Sequence, residues 1–312
     1  MKILISNDDS IHSQGIKSLF FFFKNNEILN FFTNDDKNHV ENMNWNFAGD
    51  VWMVAPEEEQ SAQSHSFSLH RPIFIHNYAE QQMSLCGTPA DCVYFALTYL
   101  QKKTEPDENS KTTSISEQSN CKKNSDFDWV VSGINHGSNL GSDIYYSGTV
   151  AGAREACLRG YPSVAISLHP NGAESLQKKD FDTVAFILKI LLFHLPKPPY
   201  GTFYNINVPQ KRQTPSSIRL TNIGLRLYRS QVIMQKSPSG QEFCWLGGPP
   251  IGYDGGIYGD DCDIALCDKG HITISVIHLF GKECASELLE EIQKVCGVTE
   301  HILSQFLEFS SI

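Results

Sequence analysis

The chain has 312 residues, of which 41% are hydrophobic, enough to bury the core of one large α/β domain or of two smaller ones. Its 35 Asp and Glu residues outnumber its 25 Lys and Arg residues, and the formal net charge is -10. Proteins that bind nucleic-acid polymers without sequence preference need a basic surface. The acidic balance therefore argues against such a partner, but it allows a small anionic ligand at a local site.

The nine cysteines form no C-x-x-C pair, and Cys262 and Cys267 have no His partner at zinc-finger spacing. Reduced, buried thiols in a cytoplasmic protein are the economical interpretation. The longest apolar run, residues 184–195, is shorter than the about 20 residues that span a bilayer. The apolar start is also too short for a signal peptide. The sequence therefore predicts a soluble, cytoplasmic protein.

The chain begins with a predicted buried strand over residues 2–5, and a polar turn carrying Asp8 and Asp9 follows at once. An amphipathic helix comes next, because apolar residues recur at i, i+3, i+4 and i+7. These residues are Ile16, Leu19, Phe20 and Phe23. The unit lacks the Gly-x-Gly-x-x-Gly turn and the phosphate-binding loop of nucleoside triphosphatases. Taken alone, the turn fits a ligand site and an ordinary helix cap equally well.

A second buried strand is predicted over residues 50–55, running into Pro56 and a polar loop that contains Ser61. Residues 73–75 and 83–85 are predicted to pair as a hairpin. A helix is then expected from Thr88 to about residue 100, with Thr88 as its N-cap and Pro89 in its first turn.

A third strand is predicted over residues 129–131, followed by a Gly- and Asn-rich loop over 132–141 that contains Asn135 and Asn139. Ser147, Gly148 and Thr149 then precede a helix over residues 150–159. Free N–H groups at such a helix start can hold a phosphate, and a simple capping role for Ser147 or Thr149 is equally common.

The remaining pattern predicts a core over residues 1–200 and a strand-rich extension of the same domain over 201–312. The core continues with a strand over 162–168 and a helix over 175–195. The extension has predicted strands at 203–208, 218–221, 243–246 and 271–277, and a C-terminal helix from about residue 285. Residues 25–47 and 101–126 show no core pattern and are interpreted as insertions.

Parallel strands bring their carboxyl ends to one edge of a sheet, so the three loops are expected to meet there. They carry Asp8 and Asp9, Ser61, and Asn135, which all offer hard oxygen ligands suited to Mg²⁺ or Mn²⁺. A divalent ion at such a site promotes phosphate ester hydrolysis. Asn139 and residues 147–149 are then the candidates for binding the phosphate.

Five ordered segments make the sequence similar to the SurE family of metal-dependent 5'/3'-nucleotidases. The segments are Ile-Ser-Asn-Asp-Asp-Ser-Ile-His-Ser-Gln-Gly-Ile (5–16), Val-Ala-Pro-Glu-Glu-Glu-Gln-Ser-Ala-Gln-Ser-His-Ser (54–66), Cys-Gly-Thr-Pro-Ala-Asp-Cys-Val (86–93), Ser-Gly-Ile-Asn-His-Gly-Ser-Asn-Leu-Gly (132–141) and Tyr-Ser-Gly-Thr-Val-Ala-Gly-Ala-Arg-Glu (146–155). Weaker similarity continues at 205–209, 245–248 and 260–275.

The resemblance implies a Rossmann-like, three-layer α/β core with a mostly parallel sheet and one divalent metal, Mg²⁺ or Mn²⁺, per subunit. The resemblance assigns the role of metal ligand to Asp8, Asp9, Ser61 and Asn135, and it makes Asp8 and Asp9 the catalytic pair. The implied reaction is hydrolysis of nucleoside 5'- and 3'-monophosphates by metal-activated water, with short-chain polyphosphate as a further substrate. Family members form dimers or tetramers by exchanging C-terminal segments, so a homodimer or homotetramer is expected.

The sequence departs from the family pattern at Ser10 and Ala62, where relatives usually have Gly. A backbone that needs positive φ at either position would be strained here. No metal ligand is lost, so an active site is still expected. Two alternatives stay open: a phosphatase with Asp8 or Asp9 as nucleophile, and a nucleotide-binding or assembly protein that has lost turnover. For His65 and His136, surface or hydrogen-bonding roles are favoured over acid–base catalysis.

Overall fold

The structure, a computed structural model, describes residues 1–25, 49–102, 127–170, 172, 175–210, 217–254, 256–281 and 285–307. Apart from a few edge residues, the predicted insertions at 25–47 and 101–126 lie outside these described residues.

The described elements comprise strands, α-helices and two short 3-10 helices. The strands are β1 Lys2–Ser6, β2 Asp50–Pro56, β3 Ile75–Ala79, β4 Gln82–Leu85, β5 Trp129–His136, β6 Ser163–His169, β7 Thr202–Pro209, β8 Ile218–Thr221, β9 Leu225–Tyr228, β10 Gln231–Lys236, β11 Glu242–Gly247, β12 Pro250–Asp254 and β13 Ile272–His278. The α-helices are α1 Gln14–Lys24, α2 Pro89–Lys102, α3 Gly148–Leu158, α4 Lys178–His194, α5 Asp263–Asp268 and α6 Ser286–Leu307. The 3-10 helices are Gly141–Tyr145 and Gly256–Asp261.

A nine-stranded sheet in the order β3-β4-β2-β1-β5-β6-β7-β13-β8 forms the centre of the fold. Strands β4, β2, β1, β5, β6 and β7 run parallel to their neighbours, while β3 and β13 pair antiparallel with β4 and β7. The predicted mostly parallel α/β sheet is therefore confirmed. The chain leaves β1 toward β2 on one side and returns to β5 on the other, which makes the carboxyl end of β1 a topological switch point.

Two apolar layers cover the faces of the sheet. Alternate residues of β1 enter different core clusters: Ile3 and Ile5 pack with α1 and α4, whereas Leu4 packs with α2. This alternation follows from the period of two residues in a strand that is buried on both faces. The result is the predicted three-layer arrangement, with the site-bearing loops at the edge where the parallel strands end.

Several boundaries differ from those predicted. β5 continues to His136, so the first half of the predicted loop over 132–141 is strand, because pairing with β6 outweighs the weak strand preference of Gly and Asn. The first hairpin strand begins at Ile75 and not at residue 73, and Gln81 turns the chain at a φ of 65°. β9, β10, β12 and α5 were not predicted, since runs of four to six residues give little periodic signal.

Residues 201–312 contribute both to the central sheet and to a projecting part. β7, β8 and β13 lie in the nine-stranded sheet, whereas β10 pairs only with β11 and β9 only with β12 among the described strands. Exposed apolar side chains occupy both faces of the β10–β11 hairpin: Val232, Ile233, Met234, Phe243, Trp245 and Leu246. A domain boundary near residue 200 stays a prediction.

No described helix has the length and apolar character needed to cross a membrane. The seven cysteines in the described ranges are all free thiols, and most of them are buried, as the absence of paired spacings predicts. The cytoplasmic location itself stays a prediction.

Candidate functional site

The Asp8 carboxylate lies between the end of β1 and the start of α3, and it is 4% exposed. One of its oxygens accepts a hydrogen bond from the Thr149 backbone N–H at 3.0 Å, and the other accepts one from the Thr149 hydroxyl. The Asp8 carbonyl accepts from the Gln60 N–H at 2.7 Å. The turn after β1 is thus tied to the loop after β2 and to the N-terminus of α3.

Asp9 and Asn135 join this turn to the end of β5. The Asp9 carboxylate accepts from the His136 backbone N–H at 2.9 Å. The Asn135 amide nitrogen donates to the Gly137 carbonyl at 2.7 Å, and its amide oxygen lies 3.2 Å from the Thr149 hydroxyl. The oxygens of Asp8 and Asn135 therefore both face Thr149. The structure brings Asp8, Asp9 and Asn135 together, as predicted from their positions at the ends of β1 and β5.

Ser61 faces the same space from the loop after β2. Asp8, Ser61, Asn135, Asn139 and Ser147 line one open cavity of about 820 Å³. The Ser61 hydroxyl donates to a Glu59 carboxylate oxygen at 2.7 Å, so its oxygen lone pairs stay available to a ligand.

Three of the predicted site residues, Asp9, Gly148 and Thr149, are not in the cavity lining. Thr149 contacts Asp8, which does line the cavity, and Asp9 contacts His136, which lines it as well. Gly148 lies against Asp8, since a Cβ added there would sit 2.8 Å from the Asp8 Cβ. These residues lie next to residues that line the cavity, and their direct contact with a ligand stays a prediction.

The start of α3 uses its first donors within the protein. Ser147 is the N-cap, and its hydroxyl oxygen accepts from the Val150 N–H at 3.0 Å. The Thr149 N–H is directed at Asp8, so a carboxylate of the chain occupies the place where a helix N-terminus attracts an anion. Of the two roles that the sequence left open for this segment, the capping role of Ser147 is observed, while its role as a phosphate ligand stays a prediction for a residue that borders the cavity.

Buried polar residues of β6 and β7 hold Asn139. Its backbone N–H donates to the Asn207 amide oxygen at 2.8 Å, and its carbonyl accepts from the side chains of Asn205 and Asn207. The Asn139 side-chain amide donates to the Ser167 hydroxyl at 2.8 Å. Sequence reasoning assigned no role to these supporting residues. The available signal was the pair of Asn residues at alternate positions of an otherwise apolar strand.

The surroundings of the two aspartates disfavour the charged form of their carboxyl groups. Burial raises the pKa of Asp8 to about 6, with a further contribution from the charge of Asp9. Burial also raises the pKa of Asp9, and the His136 N–H opposes this shift. A divalent cation would offset the cost of keeping both carboxylates ionised.

The donor set fits Mg²⁺ or Mn²⁺. Two carboxylates, an amide oxygen and a hydroxyl oxygen are hard ligands. Within the described ranges, no group of three His, Cys, Asp or Glu side chains could hold a metal ion, so a site here depends on the neutral oxygens as well as on the aspartates.

The two departures from the family pattern have the backbone geometry that Gly would suit. Ser10 has a φ of 76° and Ala62 a φ of 57°, both in the left-handed region. Each residue directly follows a predicted metal ligand, Asp9 or Ser61. The loops therefore keep the left-handed shape at these positions without Gly, which strains the backbone.

The two neighbouring histidines have different surroundings. The His65 ring lies 3.0 Å from a Glu155 carboxylate oxygen, which gives it a hydrogen-bonding partner away from the aspartates. His136 borders the cavity, but its contact with Asp9 is made by its backbone N–H. The contact of His65 agrees with the hydrogen-bonding role favoured from the sequence, whereas the role of the His136 ring stays a prediction.

Comparison with known proteins identifies the family. The sequence model described as "Survival protein SurE" matches residues 3–230. The chain belongs to the SurE family. It is 33% identical over 279 residues to a protein of Anaeromyxobacter sp. (strain Fw109-5) named "5'-nucleotidase SurE", covering 89% of this chain and 90% of that protein. A protein of the same name from Myxococcus xanthus (strain DK1622) is 33% identical over 281 residues, covering 89% of this chain and 87% of that protein.

A solved structure supports the same assignment. The crystal structure of the SurE protein from Aquifex aeolicus matches this chain with a TM-score of 0.60 and 26% sequence identity. The match covers 95% of this chain and 99% of the Aquifex chain. The likeness to a SurE structure therefore includes the strand-rich part after residue 200.

Replacing Ser10 or Ala62 with Gly should raise the free energy of unfolding by about 1 kcal/mol, because Gly reaches positive φ without the Cβ clash. Differential scanning calorimetry in the presence of a chelator measures the change in the free energy of unfolding. Ser10→Ala is the matched control: it keeps the Cβ and removes the hydroxyl that accepts from the His12 N–H at 3.2 Å, so it should not stabilise. Gly variants no more stable than the wild type would show that these positions are unstrained.

Mn²⁺ should raise the melting temperature more at about pH 7.5 than at about pH 5. Below its pKa of about 6, Asp8 carries a proton that a cation must displace, whereas above it the carboxylate is free. Affinity should thus increase as the pH rises through about 6 and then level off. Thermal shift and titration calorimetry test this, with Asp8→Asn expected to weaken binding at both pH values. Equal shifts at both pH values in the wild type would contradict a cation at Asp8.

Proposed function

We propose that this SurE-family chain is a metal-dependent nucleotidase that hydrolyses nucleoside 5'- and 3'-monophosphates to nucleoside and phosphate. The observation that carries the proposal is the buried Asp8 carboxylate beside the partly buried Asp9 at the switch point of the sheet, next to neutral oxygen ligands that face a cavity of about 820 Å³. Relatives that are 33% identical are named 5'-nucleotidase SurE. The cavity is large enough for a nucleotide, since ligand sites commonly measure about 300–1,000 Å³.

In this proposal Asp8, Asp9, Ser61 and Asn135 hold one Mg²⁺ or Mn²⁺ per subunit. When bound, the ion supplies Lewis-acid polarisation of the phosphoryl oxygen and lowers the pKa of a water molecule. Asp9 stays fixed by the His136 N–H, and Thr149 fixes the orientation of Asp8 through two hydrogen bonds.

Asn139, Ser147 and Gly148 are the proposed phosphate contacts, with Thr149 beside them. Ser147 and Asn139 line the cavity next to Asp8. The Asn139 amide uses one hydrogen on Ser167, so a second remains for a phosphate oxygen. The Thr149 N–H at the start of α3 is used by Asp8, so the phosphate is proposed to bind beside this helix start, where Ser147 borders the cavity.

Water attack is favoured over a covalent aspartyl-phosphate. Both oxygens of the buried Asp8 carboxylate accept hydrogen bonds from Thr149, and these bonds reduce the nucleophilicity of the carboxylate. The second alternative, a nucleotide-binding protein without turnover, is favoured only by the strained Ser10 and Ala62. Because both loops keep their left-handed geometry, we place this alternative second.

We further propose that the chain forms a homodimer or homotetramer through its β10–β11 hairpin. Ile233 and Trp245 are directly paired on one face, and Val232 and Leu246 are paired on the other. All four side chains are exposed, with Trp245 at 63% and Leu246 at 78%. A two-stranded hairpin with two apolar faces is unfavourable in water, and a second copy of the chain can cover them.

Phosphate release from a panel of nucleoside 5'- and 3'-monophosphates and short-chain polyphosphate tests the activity. Mn²⁺ or Mg²⁺ should support release, and a chelator should abolish it reversibly. Asp8→Asn and Asp9→Asn should each reduce the rate at least about 100-fold, because each removes a negative metal ligand. Asp50→Asn is the matched control, since Asp50 lies at the opposite, amino end of β2.

Three outcomes would count against the proposal. Release that persists in chelator would exclude the metal-dependent reaction. A trapped phospho-enzyme would favour the aspartyl nucleophile, and nucleotide binding without release under any condition would favour the binding protein. Circular dichroism of the Asp variants distinguishes loss of chemistry from loss of fold.

Trp245→Asp should lower the molar mass measured by light scattering, because a charge replaces the largest apolar side chain of the hairpin. Gln241→Asp, which adds the same charge at the exposed hairpin turn, is the control and should leave the mass unchanged. A monomeric wild-type protein, or an unchanged mass for Trp245→Asp, would refute the role of the hairpin in assembly.

A further inference from the structure

The cavity has a second wall that the proposed metal and phosphate ligands do not use. Tyr146 lies next to Ser147 on this wall, and Tyr228 reaches it from β9 of the C-terminal extension. The chain around Gly247 and Gly248 also borders it. Both tyrosine side chains remain substantially exposed, Tyr146 at 67% and Tyr228 at 47%, so their ring surfaces are open to a ligand.

Asp143 holds Tyr228 in this position. Arg226 and Tyr228 are two residues apart in β9 and therefore point to the same face of the strand. The Tyr228 hydroxyl donates to one Asp143 carboxylate oxygen at 2.8 Å, and the Arg226 guanidinium pairs with the other at 3.0 Å. Leu225 and Leu227 face the other way and are exposed.

Asp143 also fixes the backbone at Tyr146. Its carbonyl accepts from the N–H groups of Tyr146 and Ser147 at 3.0 and 3.1 Å. The Tyr146 carbonyl in turn accepts from the Ser64 N–H at 2.9 Å, in the loop that carries Ser61. Asp143 thus holds the Tyr228 side chain through its carboxylate and the Tyr146 backbone through its carbonyl.

The Tyr228 phenol remains a hydrogen-bond donor at neutral pH. Burial and the hydrogen bond to Asp143 raise the pKa of Tyr228 to about 12, so it stays protonated. The contact with Asp143 is therefore kept over the range in which the protein would work, and the ring is held at a fixed place on the wall.

We propose that Tyr146 and Tyr228 form the nucleobase-binding wall of the site, recognising a purine or pyrimidine through its ring face, with the Asp143 carboxylate positioning Tyr228. The inference rests on the nucleotidase function proposed above and extends it to substrate recognition. Every base presents a π-face, so stacking of this kind tolerates different bases. Asp8, Ser61 and Asn139 border the same cavity, which allows one ligand to contact both parts.

The test compares two substrates that share sugar and phosphate and differ only in the base: AMP and ribose 5-phosphate. Tyr146→Ala and Tyr228→Ala should each lower the ratio of kcat/KM for AMP to kcat/KM for ribose 5-phosphate by about tenfold, as expected for loss of one stacking contact. The loss should appear mainly in KM for AMP. Tyr146→Phe, which keeps the ring, should restore the wild-type ratio.

Tyr145→Ala is the matched control, because Tyr145 is the preceding residue, is 64% exposed and is not in the cavity lining. Its ratio should equal that of the wild type. Asp143→Ala should lower the ratio as the Tyr variants do, since it releases the Tyr228 hydroxyl.

The failure of this inference is distinguishable from the failure of the proposed function. A wild-type enzyme that releases phosphate from neither substrate would contradict the nucleotidase itself. Active enzymes in which the Tyr variants lose AMP and ribose 5-phosphate turnover equally, or in which Tyr145→Ala has the same effect, would overturn the base-binding wall alone.

Discussion

The contact between Asp8 and Thr149 is the interaction on which the arrangement of the site depends. It buries a carboxylate at the N-terminus of α3, where the backbone N–H and the helix dipole partly compensate the charge. The same aspartate binds the Gln60 N–H through its carbonyl, so three loops are fixed around one residue. Gly148 permits this approach, because a Cβ there would lie 2.9 Å from an Asp8 carboxylate oxygen.

Compensation of this charge is incomplete without a ligand. The hydrogen bonds from Thr149 lower the pKa of Asp8, but burial and Asp9 act more strongly in the other direction. The site therefore lowers the stability of the fold, because its two carboxylates repel each other and the backbone is strained at Ser10 and Ala62. Such local cost is characteristic of sites that a bound ion completes.

Much of the fold could be predicted because its strands carry strong local signals. β1, β2 and β5 each contain an apolar run, and α3 begins with a recognisable cap at Ser147. The supporting contacts could not be predicted, because they join residues far apart in sequence. The hydrogen bonds of Asn205 and Asn207 to Asn139 span more than 60 residues, and neither Asn belongs to a local pattern that indicates a partner. The pairing of Asp143 with residues of β9 could not be predicted from the sequence for the same reason.

Ser10 and Ala62 show the limit of what a sequence pattern says about backbone geometry. The absence of the usual Gly raised the question of whether each loop needs positive φ, and the structure answers it with values of 76° and 57°. Local sequence could pose that question but could not answer it, since the conformation is imposed by tertiary contacts. The N–H of Ile11, next to Ser10, for example, donates to the Pro56 carbonyl of β2 at 2.9 Å.

The C-terminal extension joins the proposed assembly surface to the substrate cavity. Leu246 contributes to the exposed apolar face of the hairpin and also lines the cavity, and β9 carries Tyr228 just before the hairpin begins. A second copy that covers the hairpin would therefore restrict the strands that form the nucleobase wall. The proposed assembly surface and the proposed nucleobase wall are thus contiguous, because Leu246 belongs to the hairpin and borders the cavity that Tyr228 also lines.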